Sequence, residues 1–496
     1  EGNYLVDMTV TQLLDLVAWI ESFRAQVDES FPNIVQVNAK KKQFRGMKEL
    51  MKGKEIDIES AKENLSWVTN VLLDVHRLAQ DQFIVRTKDQ TTEWLENVYN
   101  ADHAKTQTTE GRLTTSLPED LFALAGVQLR TIRERLTKKS AVLVDAVTII
   151  FTMMQLKQRE ARNRFLSDLE TCCAAANDFV RMSEQAEEIL TEIMENTDLG
   201  TDAQNTLEEV ANELMRQYTN DAVFAAQSVH KYIFEPLDEE LSNELFSAQW
   251  EEMSHNEMAL TVVRTIEDYM TDIEEWMEEL MVRKVVDALV KAAINFYIKY
   301  LLLKAQNKNV KLSTFVDPHR ALQRINGDVN TIRGYFEGLV EQFPALARVI
   351  TGEFEILKAM FGLMYIAAED EDGGDAQDYF PMIQKFVKNV NITRFVIGDL
   401  YHLVQPKHEK EFYLAFEHHE EHLRAFEMRD GYVDEQYVDK GLQLDQMLIG
   451  VIGDSQRKRP MKSETVKSME KAFQGWGWRA SSTVEDEDDN HSHDEE

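Results

Sequence analysis

The chain has 496 residues, 43% of them hydrophobic, with only eight prolines and 20 glycines, so it can build several cores and is neither fibrous nor disordered throughout. Its net charge of −34 opposes broad nucleic-acid contact, which depends on counterions released from phosphates. Two adjacent cysteines, Cys172 and Cys173, exclude a disulfide framework and fit a reducing compartment as small packed side chains.

No signal-peptide pattern opens the chain, and its start at Glu1 without a methionine reads as a fragment or processed form. Leu5, Leu13, Leu14, Val17, Ile20, Phe23 and Val27 share one helix face, ended by Phe31-Pro32. A basic stretch follows, with Lys40, Lys41, Lys42, Arg45, Lys48, Lys52 and Lys54. Ser60-Ala-Lys-Glu63 has the capping-box pattern and predicts a helix through Trp67, Val71, Val75 and Leu78, with a further helix at Trp94, Leu95 and Val98. Residues 101–115 read as a connection. Ser116-Leu-Pro-Glu119 predicts a second capping box opening a helix through Leu121, Phe122 and Leu129. The longest apolar run, Ala141 to Leu156, is interrupted by Asp145 and falls short of the ~20 residues of a membrane span.

Asp198–Asp202 reads as a turn, and Pro236 predicts the start of a short helix to Trp250. From Asn256 to Lys304 one stripe runs without a breaker: Val262, Ile266, Tyr269, Ile273, Trp276 and Leu280, then Val285, Leu289, Phe296 and Tyr300. Its second half is apolar nearly all round, which requires cover from several neighbours. Unbroken, it would extend roughly 70 Å, so other helices are expected to pack on it. Asn307 to Asp317 breaks the pattern and Asp317-Pro318 restarts it. Further helices are expected to Val451, separated by loops such as Glu369–Asp375, and residues 479–496 form an acidic, disorder-type tail. The fold class is therefore all-α, an elongated rod of stacked helical bundles. Its expected divisions are 1–112, a bundle at 113–310, a bundle at 311–476 and a tail at 477–496.

Chemistry is sparse. His418-His-Glu-Glu-His422 matches the H-x-x-E-H pattern of inverted zinc proteases, in which His418 and His422 would be ligands. No third ligand suggests itself, and an exposed helix face is the simpler reading. Gly450-Val-Ile-Gly453 and Gly373-Gly374 lack the lysine of a phosphate loop. No cofactor or catalytic residue is implied. Lys40, Lys41, Lys42 and Arg45, with Arg457, Lys458 and Arg459, stand out from the acidic background as candidate contacts for anionic lipid or an acidic partner.

Leu113-Thr-Thr-Ser-Leu-Pro-Glu-Asp-Leu-Phe122, Thr265-Ile-Glu-Asp-Tyr-Met-Thr-Asp-Ile273 and Phe315-Val-Asp-Pro318 with Ile325-Asn-Gly-Asp328 resemble exocyst complex component 3, the Sec-six family, across roughly residues 60–455. The resemblance implies a non-catalytic exocyst subunit that tethers secretory vesicles to the plasma membrane before SNARE-mediated fusion. It implies other exocyst subunits and SNARE proteins as partners, and a cytoplasmic place peripheral to the plasma membrane. The N-terminal segment that pairs with sister subunits is not recognisable. A component-3-like paralogue working as a membrane-associated scaffold outside the complex is the alternative, and a zinc hydrolase at His418 and His422 the remote one.

Overall fold

The computed structural model describes residues 4–30, 58–136, 140–307, 309, 311–369 and 394–410. These residues are all-α apart from one two-stranded hairpin. They fall in two compact units: Glu1–Leu241 with Glu257–Ala293 and Thr331–Ile350, and Ser242–Asn256 with Ile294–Asn330 and Thr351–Glu496.

In the first unit, α1 (Val10–Ser30) packs on α2 (Ile58–Asn100). α1 buries Leu13, Leu14, Val17 and Ile20, the face that the spacing of its apolar residues specifies. α2 is one helix of 43 residues, not the two expected. Nothing between Leu78 and Trp94 lacks an N–H or favours a turn, and Phe83, Thr87 and Thr91 keep one side buried throughout. The helix begins two residues before Ser60, so that serine lies inside it.

β1 (Thr106–Gln107) and β2 (Leu113–Thr114) precede α3 (Leu117–Arg135). Ser116 is the N-cap residue, but not by the expected box. Its hydroxyl donates to Asp120 at 2.8 Å, and the Leu117 N–H instead donates to Thr115 Oγ1 at 3.2 Å.

α4 (Ala141–Ala161) carries the longest apolar run. With the 3-10 turn that follows it, the stretch Ala141–Phe165 is long and apolar enough to cross a membrane by length and composition. It buries Val142, Val147, Ile150, Phe151 and Met154 and packs on α2 and on α6 (Thr201–Ser228), as a core helix does. α5 (Leu169–Asn196) and α6 form a hairpin of helices across the short connection at residues 197–200. Small buried residues, Ala174, Ala175, Ala176 and Ala186 on α5 and Ala211, Ala222 and Ala225 on α6, allow close approach of the two axes.

α7 (His230–Leu241) contains Pro236 inside the helix, not at its start. Proline forgoes one i→i−4 hydrogen bond, and burial of Ile233, Phe234, Leu237 and Leu241 carries the helix past it. α8 (Ala248–Glu252) is a short turn of helix capped by Ser247, whose Oγ accepts from Trp250 N at 3.1 Å.

The breaker-free stretch is divided. α9 (Glu257–Trp276) ends and α10 (Glu279–Ala305) begins with Met277 and Glu278 between them. As expected, α10 is buried nearly all round, while α9 buries one face, with Met258, Val262, Ile266, Met270 and Ile273; Leu280, expected on the same stripe, is 60% exposed at the start of α10. α11 (Pro318–Gly338) restarts at Pro318. α12 (Leu346–Glu369) and α13 (Arg394–Val404) complete the described helices.

Candidate functional surface

The α9–α10 division is built by residues more than a hundred positions away. The hairpin before α3 pairs Thr106 with Thr114 and Gln107 with Leu113. Its turn has Gly111 at φ +87°, where an added Cβ would stand 3.1 Å from Glu275 Cγ; both the angle and the approach call for glycine. The neighbouring Arg112 guanidinium donates to the carbonyls of Glu274, Glu275 and Met277, which the end of α9 leaves without helical partners.

Asn177 of α5 completes the joint. Its Nδ2 donates to the carbonyls of Leu113 and Trp276, both at 2.8 Å, and its Oδ1 accepts from Glu278 N at 3.0 Å. One buried amide thus satisfies three backbone groups across three segments. Asp178 accepts from Thr115 N at 3.0 Å and Thr115 Oγ1 at 2.7 Å. Burial outweighs those bonds and pushes its carboxyl up to about 7.

The second unit has its own buried polar group set. Phe246 sits at φ 60°, a rare conformation for an aromatic residue. Its ring is held by Trp250 at 4.9 Å and Tyr297 at 5.0 Å, centroid to centroid. Trp250 Nε1 and Tyr297 OH both donate to Asp328 Oδ2 at 3.1 Å, and burial raises that carboxyl above the usual range. Lys304 Nζ donates to the Phe246 carbonyl at 2.8 Å and lies 3.6 Å from Glu251 Oε1. Burial lowers the Lys304 pKa, offset by Glu251. Glu251 Oε2 in turn accepts from Val316 N at 2.8 Å and Asp317 N at 3.3 Å. These groups fix the chain ahead of α11. Each is engaged in packing.

Among the described residues, no three His, Cys, Asp or Glu side chains are grouped to hold a metal ion. Burial pushes the Cys172 and Cys173 thiols up to about 12, far from a reactive thiolate. A surface depression at Asn205, Glu208, Glu209, Asn212, Glu213 and Arg216 follows the side of α6 alone. The basic candidates Lys40, Lys41, Lys42, Arg45, Arg457, Lys458 and Arg459, like His418 and His422, lie outside the described residues. Sequence reasoning did not single out Arg112, Asn177, Asp178 or Asp328 as joint residues. A lone buried-pattern Asn-Asp pair on α5 was the available signal.

Residues 13–373 match the family described as "Exocyst complex component Sec6", a span that starts earlier and stops sooner than the resemblance at 60–455. The structure is similar to a crystal structure of the C-terminal domain of the exocyst subunit Sec6p, at a TM-score of 0.56 and 13% identity, covering 71% of this chain and 93% of that one. Such a likeness shows a shared all-α fold. The family is one of complex subunits, not of enzymes. The chain belongs to the Sec6 family of exocyst components.

Proposed function

We propose that this chain is a component-3-type exocyst subunit that helps hold secretory vesicles at the plasma membrane before SNARE-mediated fusion. The family match over residues 13–373 carries the reading. The described buried polar groups fit it, because Asn177, Asp178, Glu251 and Asp328 each join separate segments of the chain. Sister subunits would dock on exposed helix faces, with specificity from charge complementarity and a few well-packed anchors. SNARE proteins or their regulators would be further partners. The place of action would be cytoplasmic, at sites of secretion.

Lys40, Lys41, Lys42 and Arg45, and Arg457, Lys458 and Arg459, would add contact to anionic lipid or an acidic partner, at ~1 kcal/mol per basic side chain near a membrane surface. The test is depletion in the source cells followed by rescue. Vesicles gathering beneath the plasma membrane, cleared by the wild-type chain, support the tether. Unchanged secretion after depletion overturns it. For the basic residues, the readout is loss of flotation with phosphatidylserine vesicles when Lys40, Lys41 and Lys42 become Glu.

A further inference from the structure

The connection between α8 and α9 carries an exposed serine and is seated on α11. Met253, Ser254, His255 and Asn256 are non-helical, and Ser254 and His255 are exposed. Arg324 of α11, itself buried, donates to the carbonyls of Met253 and His255, the latter at 2.8 Å. These two carbonyls flank Ser254 and point to the buried guanidinium, while the serine between them faces solvent. Asn256 closes the seat, because a Cβ added to Gly327 would stand 2.8 Å from its Nδ2.

Two features set Ser254 apart, and the first is its hydroxyl. A hydroxyl residue with a carboxylate three positions on also occurs at Ser116, Ser167 and Thr271. Those hydroxyls donate to Asp120, Asp168 and the Glu267 carbonyl. The Ser254 hydroxyl has no partner among the described residues, and exposed Glu252 and Glu257 stand two positions before it and three after. The second feature is Arg320, exposed in the first turn of α11, whose Nη2 donates to the Glu252 carbonyl at 2.9 Å. Asp317 accepts from the backbone N–H of Arg320 at 3.1 Å, but among the described residues no carboxylate pairs with the guanidinium. A guanidinium has five donors, so Arg320 is placed to take a further anion.

We propose that Ser254 is phosphorylated by an acid-directed serine kinase and that Arg320 holds the phosphate. Glu252 and Glu257 supply the carboxylates that the basic substrate groove of such a kinase reads. The γ-phosphoryl group of ATP moves to Ser254 Oγ. A P–O bond forms there, the β–γ bridge bond breaks, ADP leaves, and the hydroxyl proton passes to the kinase's base. The phosphoserine carries roughly −1.5 to −2 charges at pH 7 and three acceptor oxygens, to which the planar fork of Arg320 is matched. Glu252 and Glu257 repel the product, so the modified loop stays on α11 through Arg320. The proposal stands on this loop and α11, independently of vesicle tethering.

The test treats the full-length chain with casein kinase 2 and ATP and locates phosphate by peptide mass spectrometry. Ser482 and Thr483, each with a carboxylate three positions on, report that the kinase is active. Ser254 should be modified, and at least ~10-fold more slowly in Glu257→Gln, which removes one charged contact to the kinase. Hydrogen exchange over 250–258 should slow in the modified wild-type chain and not in modified Arg320→Ala. A phosphatase should remove the Ser254 phosphate at least ~10-fold faster from Arg320→Ala, which has lost its charge-assisted hydrogen bonds. Circular dichroism of both variants secures their fold. Phosphate at Ser482 or Thr483 with none at Ser254 overturns the proposal, and so does an unchanged rate in Glu257→Gln. A Ser254 phosphate that is protected and removed equally in wild type and Arg320→Ala overturns it too.

Discussion

Asp178 is a buried carboxyl whose only described hydrogen-bond donors are the N–H and hydroxyl of one threonine, Thr115. Its ordinary value of 3.8 is pushed to about 7 in the folded chain. An acid raised in this direction binds its proton more tightly when folded, so its contribution to stability is lost as pH rises through the window between the two values. Each pH unit in that window is worth ~1.4 kcal/mol. From about pH 5 to about pH 8 the wild-type joint therefore weakens by roughly 2.5 kcal/mol relative to a neutral side chain. Asp178→Asn supplies that reference. Its Oδ1 accepts the Thr115 N–H, while its Nδ2 donates to Thr115 Oγ1, the hydroxyl changing role from donor to acceptor. The assay is hydrogen exchange followed by mass spectrometry, over peptides covering 106–117 and 172–180. Comparing the two proteins at the same pH cancels the chemical exchange rate. The Asn variant should gain protection relative to wild type by up to roughly 100-fold between the two pH values. A ratio that does not change with pH would show that Asp178 is ionised throughout and would refute the burial argument.

Other perturbations have sharper structural readouts. Asn177→Ala leaves two carbonyls and one N–H without partners, and should cost about 2–4 kcal/mol, seen as early melting and rapid exchange at 274–280. At Asp328 both donors converge on one oxygen, so an amide oxygen can replace it. Asp328→Asn should hold stability within about 1 kcal/mol, and Asp328→Ala should lose about 3, measured by urea unfolding at neutral pH. Cys172 and Cys173 should resist alkylation at neutral pH in the native chain and label in urea, because burial holds both thiols protonated. Rapid native labelling would contradict their burial.

The all-α class was legible because helix-spaced apolar residues and first-turn prolines act locally. Leu13, Leu14, Val17 and Ile20 are buried as their spacing requires, and Pro318 opens α11. The misreadings share a cause, which is that the deciding contacts are distant in sequence. Nothing local divides Trp276 from Glu279. Arg112 and Asn177 do so by taking the backbone groups that a continuous helix would use internally. The two-residue strands are too short for alternation to register, and Gly111 alone marks their turn. Conversely, the continuity of α2 and the passage of α7 through Pro236 show tertiary burial overriding weak local signals. The spacing of Val71, Val75 and Leu78 predicts the start of α2, yet Val71 and Leu78 are exposed and the buried side is that of Ala79, Phe83, Thr87 and Thr91.

The most direct test of the central claim is purification of the tagged full-length chain from its source cells, followed by crosslinking mass spectrometry. An exocyst subunit should bring its sister subunits down in stoichiometric amounts, with crosslinks along residues 116–475. Recovery of the chain alone, or with lipid-binding partners and no exocyst subunit, would leave the fold and family standing and would contradict the tethering role.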